Sequence, residues 1–350
     1  MQVRERLEEL ERQNLSPHAT LSAESKGRRA PEAPCPVRTC FQRDRDRIIH
    51  LCRAFRRLAH KTQVFISPRE DHLRTRLSHT LEVSQIARTI AKALRLNEDL
   101  TEAIALAHDV GHTPYGHSGE AALDEAYRRY DAGASFKHQE HSLRVVSELE
   151  RDGAGLNLTL ETLEGIALHS KGQTDLASLL AAPLQSSVEA LVLSVSDRIA
   201  YLNHDLDDCL RAGVLAPGDL PAGLMESLGW SHSARVGTMV EDLIQHSIEQ
   251  PCLRMSAAVL EATDALKCFM FETVYSRPEL LDDCKKVRGI VGGLFDVYMS
   301  SDTALFEACG YVPDDPARRA RLVCDYIAGM TDRFAAEQYS KHFLPSSFPF

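Results

Sequence analysis

Residues 74–120 read RTRLSHTLEVSQIARTIAKALRLNEDLTEAIALAHDVGHTPYGHSGE, and the spacing of their apolar side chains decides the fold class. Val83, Ile86, Ala87, Ile90, Ala91 and Leu94 recur at three- and four-residue intervals, which predicts a helix over 79–95 with one apolar stripe. Asn97 is suited to cap a second helix running to about Asp109, because its side-chain oxygen can accept from a free backbone N–H. Glu98, Asp99 and Glu102 favour the positive end of that helix. Gly111 and Pro114 stop it, so His112, Thr113, Tyr115, Gly116 and His117 are expected on a loop at the helix exit.

Working outward, the same period predicts helices over 119–130, 137–151, 159–169, 187–211, 256–275, 280–300 and 316–334. Period-two alternation is hard to find, so the chain reads as all-α. The stretch LSPHATLSAESKGRRAPEAPCP (15–36) holds four prolines and many small polar residues, so residues 1–40 are expected to form an extended basic arm. A second break, AGVLAPGDLPAG (212–223), divides a helical unit at 41–215 from a C-terminal helical region at 216–350.

With 350 residues, 44% apolar, the chain can bury one large core or two smaller ones. The start, MQVRERLEELERQ, is charged throughout, and no apolar run approaches membrane-spanning length, so a soluble cytoplasmic protein is expected. Nine scattered cysteines never form CxxC and read as reduced thiols. The net charge is −10, yet Lys26 to Arg76 carries fourteen Lys and Arg against five Asp and Glu, a local balance of +9. A polyphosphate ligand, a single-stranded nucleic acid or acidic neighbours in an oligomer would each answer that segment.

Eight of the fifteen histidines lie between His60 and His141, a concentration that composition does not require. His79, the adjacent pair His108 and Asp109, and Asp197 fall on three predicted helices and supply nitrogen and oxygen ligands for one divalent ion, with Mn, Mg, Fe, Co, Ni and Zn all admissible. Such an ion activates water, so hydrolysis is the expected chemistry. A zinc-peptidase reading of His108 and His112 fails, because position 109 is Asp rather than Glu and Gly111 interrupts the helix between them. Asp197, Tyr201 and Asp205 recur every four residues and share one helix face.

The H…HD…D pattern resembles the HD-domain phosphohydrolase superfamily. Residues 74–120, with FQRDRDRIIHLCRAFRRLAHKTQVF (41–65) before them and SVSDRIAYLNHDLDD (194–208) after, are similar to its bacterial deoxyguanosinetriphosphate triphosphohydrolase-like branch over roughly 38–212, and more weakly beyond. The resemblance implies an all-α HD-domain helical bundle at 41–215 with an additional C-terminal helical region. It implies hydrolysis of a deoxynucleoside triphosphate (dNTP) to deoxynucleoside and inorganic triphosphate, with His79, His108, Asp109 and Asp197 as metal ligands. In FKHQEH (136–141) it makes His138 the catalytic histidine, paired with Glu120. His112 and His117 would contact phosphate oxygens and Arg76 would clamp the α-phosphate. Gln63 and Asp205 would bind the 3′-hydroxyl, while Tyr201 fills the space a ribose 2′-hydroxyl needs.

Gln139 and His141 stand where relatives commonly have Asn and Gln, which makes His141 a second candidate acid; Val110 for Leu reads as a packing variant. The branch is commonly a tetramer or hexamer, with dNTP effector sites between subunits in some members. Another HD phosphohydrolase, such as a phosphodiesterase or nucleoside monophosphatase, and a nucleic-acid-binding regulator using the basic segment are the alternative readings.

Overall fold

In the computed structural model, which describes residues 2–64, 73–170 and 174–345, every regular element is helical. Arg69 of the basic segment and His72 of the histidine cluster lie outside the described residues. Among those described there are seventeen α-helices and no strand.

The first half contains α1 (Val3–Asn14), α2 (Cys40–Leu51), α3 (Arg53–Arg57), α4 (Arg76–Ala93), α5 (Glu98–Ala107), α6 (Gly116–Tyr130), α7 (His138–Arg144), α8 (Leu160–Leu168), α9 (Leu176–Ala181) and α10 (Val188–Arg211). The second contains α11 (Ala222–Leu228), α12 (His232–Ser247), α13 (Ala257–Met270), α14 (Pro278–Ser300), α15 (Asp302–Cys309), α16 (Pro316–Ala328) and α17 (Asp332–Phe343).

Local chemistry sets the ends of the central helices. Thr75 accepts from the Ser78 amide to start α4, Asn97 accepts from Leu100 at 3.1 Å to start α5, and Ser187 accepts from Ala190 to start α10. Val83, Ile86, Ala87, Ile90 and Ala91 are buried along the stripe the sequence predicts, where α4 packs between α5 and α10. Small residues set how close these helices come. A Cβ at Gly165 of α8 would lie 2.4 Å from the Ile104 side chain of α5.

Three sequence expectations are corrected. The helix expected over 316–334 is two helices, because α16 stops before Gly329 and the Thr331 side chain accepts from Phe334 at 3.2 Å to begin α17. The break at 212–223 does not divide the cores. One core runs from Phe41 through α4, α5, α8 and α10 to Val274, while a second joins Tyr115, Leu123, Tyr127 and Phe136 to Leu294, Phe295, Val323 and Ile327. Helix α6 thus belongs with the C-terminal helices, against α14 and α16.

Of the arm expected over 1–40, finally, the described residues 2–40 are not extended. They begin with α1, and the stretch that follows is pinned by carboxylates on the body. Glu189 accepts from the Thr20 amide and hydroxyl at 2.9 Å each, Glu161 accepts from Ser25 and Lys26, and Asp44 accepts from Arg28. Much of the basic segment is likewise neutralised within the chain: Arg45 meets Asp99 and Glu102, Arg47 meets Glu32, and Arg74 meets Asp207 and Asp208.

Asp44 is the central tie. It is fully buried and also accepts from the Thr159 amide, the Thr159 hydroxyl at 2.6 Å and the Thr162 hydroxyl at 2.9 Å. Asp44→Ala removes the buried carboxylate that the Arg28 guanidinium and these donors share, although Arg28 keeps Glu32 and the carbonyls of Asn157 and Cys40, and is expected to lower unfolding free energy by about 3 kcal/mol. Urea unfolding at an unchanged m-value checks it.

Candidate active site

A cavity of about 610 Å³ opens where the start of α4, the loop after α5, α7, α10 and the turn at 271–275 meet. The cap at Thr75 places Arg76 and His79 one turn apart at the head of α4, both buried against the cavity. Helix α5 ends at Ala107, so His108 and Asp109 leave it together. Both turn toward the same space, as adjacent residues in mid-helix would not. Helix α10 brings Asp197, Tyr201 and Asp205 to the same wall.

The structure brings the four expected metal ligands together. His79 Nε2 lies 3.1 Å from Asp197 Oδ1, and His108 Nε2 lies 3.5 Å from Asp109 Oδ1 and 3.9 Å from Asp197 Oδ1. His108 Nδ1 is 2.6 Å from the Ala105 carbonyl, which fixes its proton there and leaves Nε2 bare. That Nε2 is buried with no hydrogen-bond partner. A buried bare imidazole nitrogen facing two carboxylates is the donor set a divalent cation takes, so these groups fit a metal.

Behind them His204 bridges His79 Nδ1, at 3.1 Å, to Glu82, at 2.8 Å, and so orients the first histidine. Burial alone would push Asp109 up, but His112, His108 and Arg76 together hold its carboxyl well below the usual range. Asp197 is likewise held down against burial by the hydrogen bond to His79. Both remain ionised at neutral pH.

Beside the metal group, His138 Nδ1 is 3.0 Å from both Glu120 oxygens, and its backbone N–H donates to Glu120 at 2.9 Å. Burial opposes the charged histidine, but the bond to Glu120 and its charge outweigh burial and raise His138. Reciprocally, bonds from His117 and His138 pull Glu120 far below the ordinary carboxylate range despite burial. His112 stacks on His138 at 4.0 Å and is driven well down by burial and by Arg76. His117 reaches Glu120 at 3.2 Å but is largely solvent-exposed, with 78% of its side chain accessible.

His141, expected as a second candidate acid, is on the wrong side. It faces another cavity, packs on Phe136 and lies 3.7 Å from Asp325. The loop backbone lies flat on α7: a Cβ at Gly111 would sit 2.1 Å from the Ser142 amide nitrogen, and Ser142 donates to the His108 carbonyl at 2.6 Å. That contact leaves His138 on the cavity side of the loop and His141 beyond it.

Arg76 departs from a pure phosphate clamp, since its Nη1 donates to Asp109 Oδ2 at 2.8 Å. Its Nε and Nη2 are buried without partners, and Gly116, at φ 57°, leaves the room Nη2 occupies, because a Cβ there would come within 2.9 Å. Gln63, Tyr201 and Asp205 line the same cavity. Asp205 Oδ1 and Gln63 Oε1 are both buried without partners, and burial pushes the Asp205 carboxyl up to about 6.

Sequence reasoning missed three cavity or support residues. Tyr275 donates to Asp205 at 2.5 Å from a π-turn at 271–275 that helical period does not reveal. Lys61 is buried beneath the loop and donates to the carbonyls of His112 and Ala328. His169 repeats the device of His108 at the end of α8, with Nδ1 2.7 Å from the Ile166 carbonyl. A histidine directly after an apolar helical run, the context His108 and His169 share, is a signal that could have found His169.

An HD domain model matches residues 76–202, from the first arginine of α4 to just beyond Tyr201, and a phosphohydrolase-associated domain model matches residues 253–341. A deoxyguanosinetriphosphate triphosphohydrolase-like protein of Caldanaerobacter subterraneus subsp. tengcongensis is 51% identical over 352 residues, covering 99% of this chain and 97% of that protein. One of the same description from Desulfatibacillum aliphaticivorans is 49% identical over 354 residues, covering 99% of each.

The chain belongs to this HD-domain family. It is therefore a metal-dependent phosphohydrolase, and the His79, His108, Asp109 and Asp197 group lies wholly inside the matched HD segment. The associated domain contributes Tyr275 and Cys284 to the HD site, so neither matched segment lines the cavity alone. No described helix is long and apolar enough to cross a membrane, and all nine cysteines are free thiols.

Proposed function

We propose that this HD phosphohydrolase cleaves a dNTP to deoxynucleoside and inorganic triphosphate. The observation that carries the reading is one cavity lined by two kinds of unanswered group. Unpartnered guanidinium nitrogens and imidazoles lie beside the His–Asp group, and the unpartnered carboxylate oxygen of Asp205 and amide oxygen of Gln63 line the same cavity. The first kind suits phosphates and the second suits a sugar hydroxyl.

A divalent ion held by His79, His108, Asp109 and Asp197 supplies Lewis-acid polarisation of a phosphate oxygen and lowers the pKa of water. The free donors of Arg76 stabilise charge that grows on the α-phosphate oxygens. Water attacks the α-phosphorus as its bond to the 5′-oxygen breaks; His138, kept protonated by Glu120, gives that oxygen its proton, and the proton the attacking water loses passes to solvent, from which His138 is reprotonated. Asp205 accepts from the 3′-hydroxyl, whose oxygen accepts in turn from the Gln63 amide, and the Tyr201 ring stands where a ribose would place its 2′-hydroxyl.

Incubation with each dNTP and NTP plus Mn or Mg, with chromatographic detection of products, tests the reading. Triphosphate and deoxynucleoside are expected; orthophosphate or pyrophosphate would overturn it in favour of another HD phosphohydrolase. Tyr201→Ala is expected to raise the NTP to dNTP ratio of kcat/KM by roughly tenfold, the scale on which steric fit discriminates.

A further inference from the structure

His169 directly follows the last residue of α8 and lies on the cavity wall, its ring 5.2 Å from His108 and 5.3 Å from His138. A carbonyl only accepts, so the 2.7 Å contact from Nδ1 to the Ile166 oxygen holds the proton on Nδ1 and leaves a lone pair on Nε2. That Nε2 is buried and meets no partner in the protein. A buried acceptor in this state is unfavourable unless something in the cavity donates to it.

A bare lone pair is answered by a cation or by an N–H or O–H donor, and an ionised phosphate offers neither. A second cation fits poorly. The ligand atoms of His169, Asp109 and His138 lie within 4.8 Å of one another, but Asp109 is the only carboxylate among them. Asp109 is already committed, since its Oδ2 pairs with Arg76 and it belongs to the group of His79 and His108. A second ion would sit beside a guanidinium with no carboxylate of its own.

Water fits well. One ligand atom of Asp109 and one of His169 lie within 4.8 Å of each other, and an oxygen between two acceptors that close reaches both with bonds of about 2.8 Å. A water that gives one O–H to Asp109 and the other to Nε2 turns its lone pairs into the cavity.

We infer that His169 is a further catalytic residue of the hydrolysis, whose Nε2 accepts a hydrogen bond from the attacking water and, with Asp109, aims that water's lone pair at the phosphorus. The inference rests on the proposed hydrolysis of a dNTP. It assigns His169 a hydrogen bond and no proton transfer.

Two substitutions separate this role from a structural one. His169→Asn places an amide N–H where Nδ1 stood, which keeps the tie to Ile166, and removes every atom at the Nε2 position. His169→Gln reaches the Nε2 position with an amide oxygen that can accept. Product release from dGTP and bound Mn per chain are measured for the wild type and both variants, with far-UV circular dichroism as the check on folding.

His169→Asn is expected to lower kcat about 10²-fold, with KM within about twofold and bound Mn unchanged, and His169→Gln to recover about tenfold of that loss. An unchanged kcat in His169→Asn overturns the inference. So does loss of Mn, which would make His169 a metal ligand, and so does an equal loss in both variants with altered helicity, which would make it structural. If the wild type releases no triphosphate, the proposed function fails. The same comparison on whichever phosphate ester the wild type does hydrolyse then decides His169 separately.

Discussion

Asp109→Asn is expected to lower hydrolysis by on the order of 10³-fold and to strip the protein of its divalent ion, because the several kcal/mol a metal contributes translate at about 1.4 kcal/mol per tenfold. The side chain keeps its shape but loses the charge that His112, His108 and Arg76 surround. Oδ2 also answers Arg76 at 2.8 Å, so the substitution leaves a buried guanidinium beside a neutral amide. Elemental analysis of purified variant and wild type, together with kcat/KM on any accepted substrate, checks both halves. A variant that keeps its metal and its rate would remove Asp109 from the ligand set.

Glu120→Gln is the second large effect, an expected fall in kcat of roughly 10²- to 10⁴-fold, the range assigned to a positioned acid. Glu120 meets His138 through both oxygens at 3.0 Å and is the principal group raising it, against burial. An acid works only while protonated, so activity falls as pH rises through the pKa of His138. With Glu120 neutralised that pKa drops, and the basic limb of the kcat profile moves to lower pH. A limb that stays in place would show that His138 does not supply the proton.

Most of the cluster of His79, His108, Asp109 and Asp197 was legible in the sequence because its signal is local. An apolar stripe with a capping Thr or Asn fixes where α4 and α5 begin, and the glycine and proline after Asp109 fix where the second must stop. The Asp197, Tyr201 and Asp205 face follows from helical period alone, since four residues return a side chain to nearly the same azimuth. The boundaries that failed were those where competing local rules meet. Gly329 and Thr331 end one helix and start another within three residues. Composition likewise described residues 15–36 as an arm, because it cannot register the buried acceptors Glu161, Glu189 and Asp44 waiting on distant helices.

The sequence by itself determined that the chain is helical, which helices carry His79, His108, Asp109 and Asp197, and hence the expectation that these residues hold a metal. Those conclusions need only backbone period, capping and the chemistry of side chains close in the chain. Tertiary structure decided which neighbouring histidines face the metal group. His138 and His141 are three residues apart on one short helix, and only the backbone of Gly111 pressed against Ser142 separates the one in the cavity from the one outside it. It also brought His169, Lys61 and Tyr275 from distant segments to the site or its supporting loop. Side-chain orientation depends on what each helix packs against, and that is a property of contacts between residues far apart in the chain.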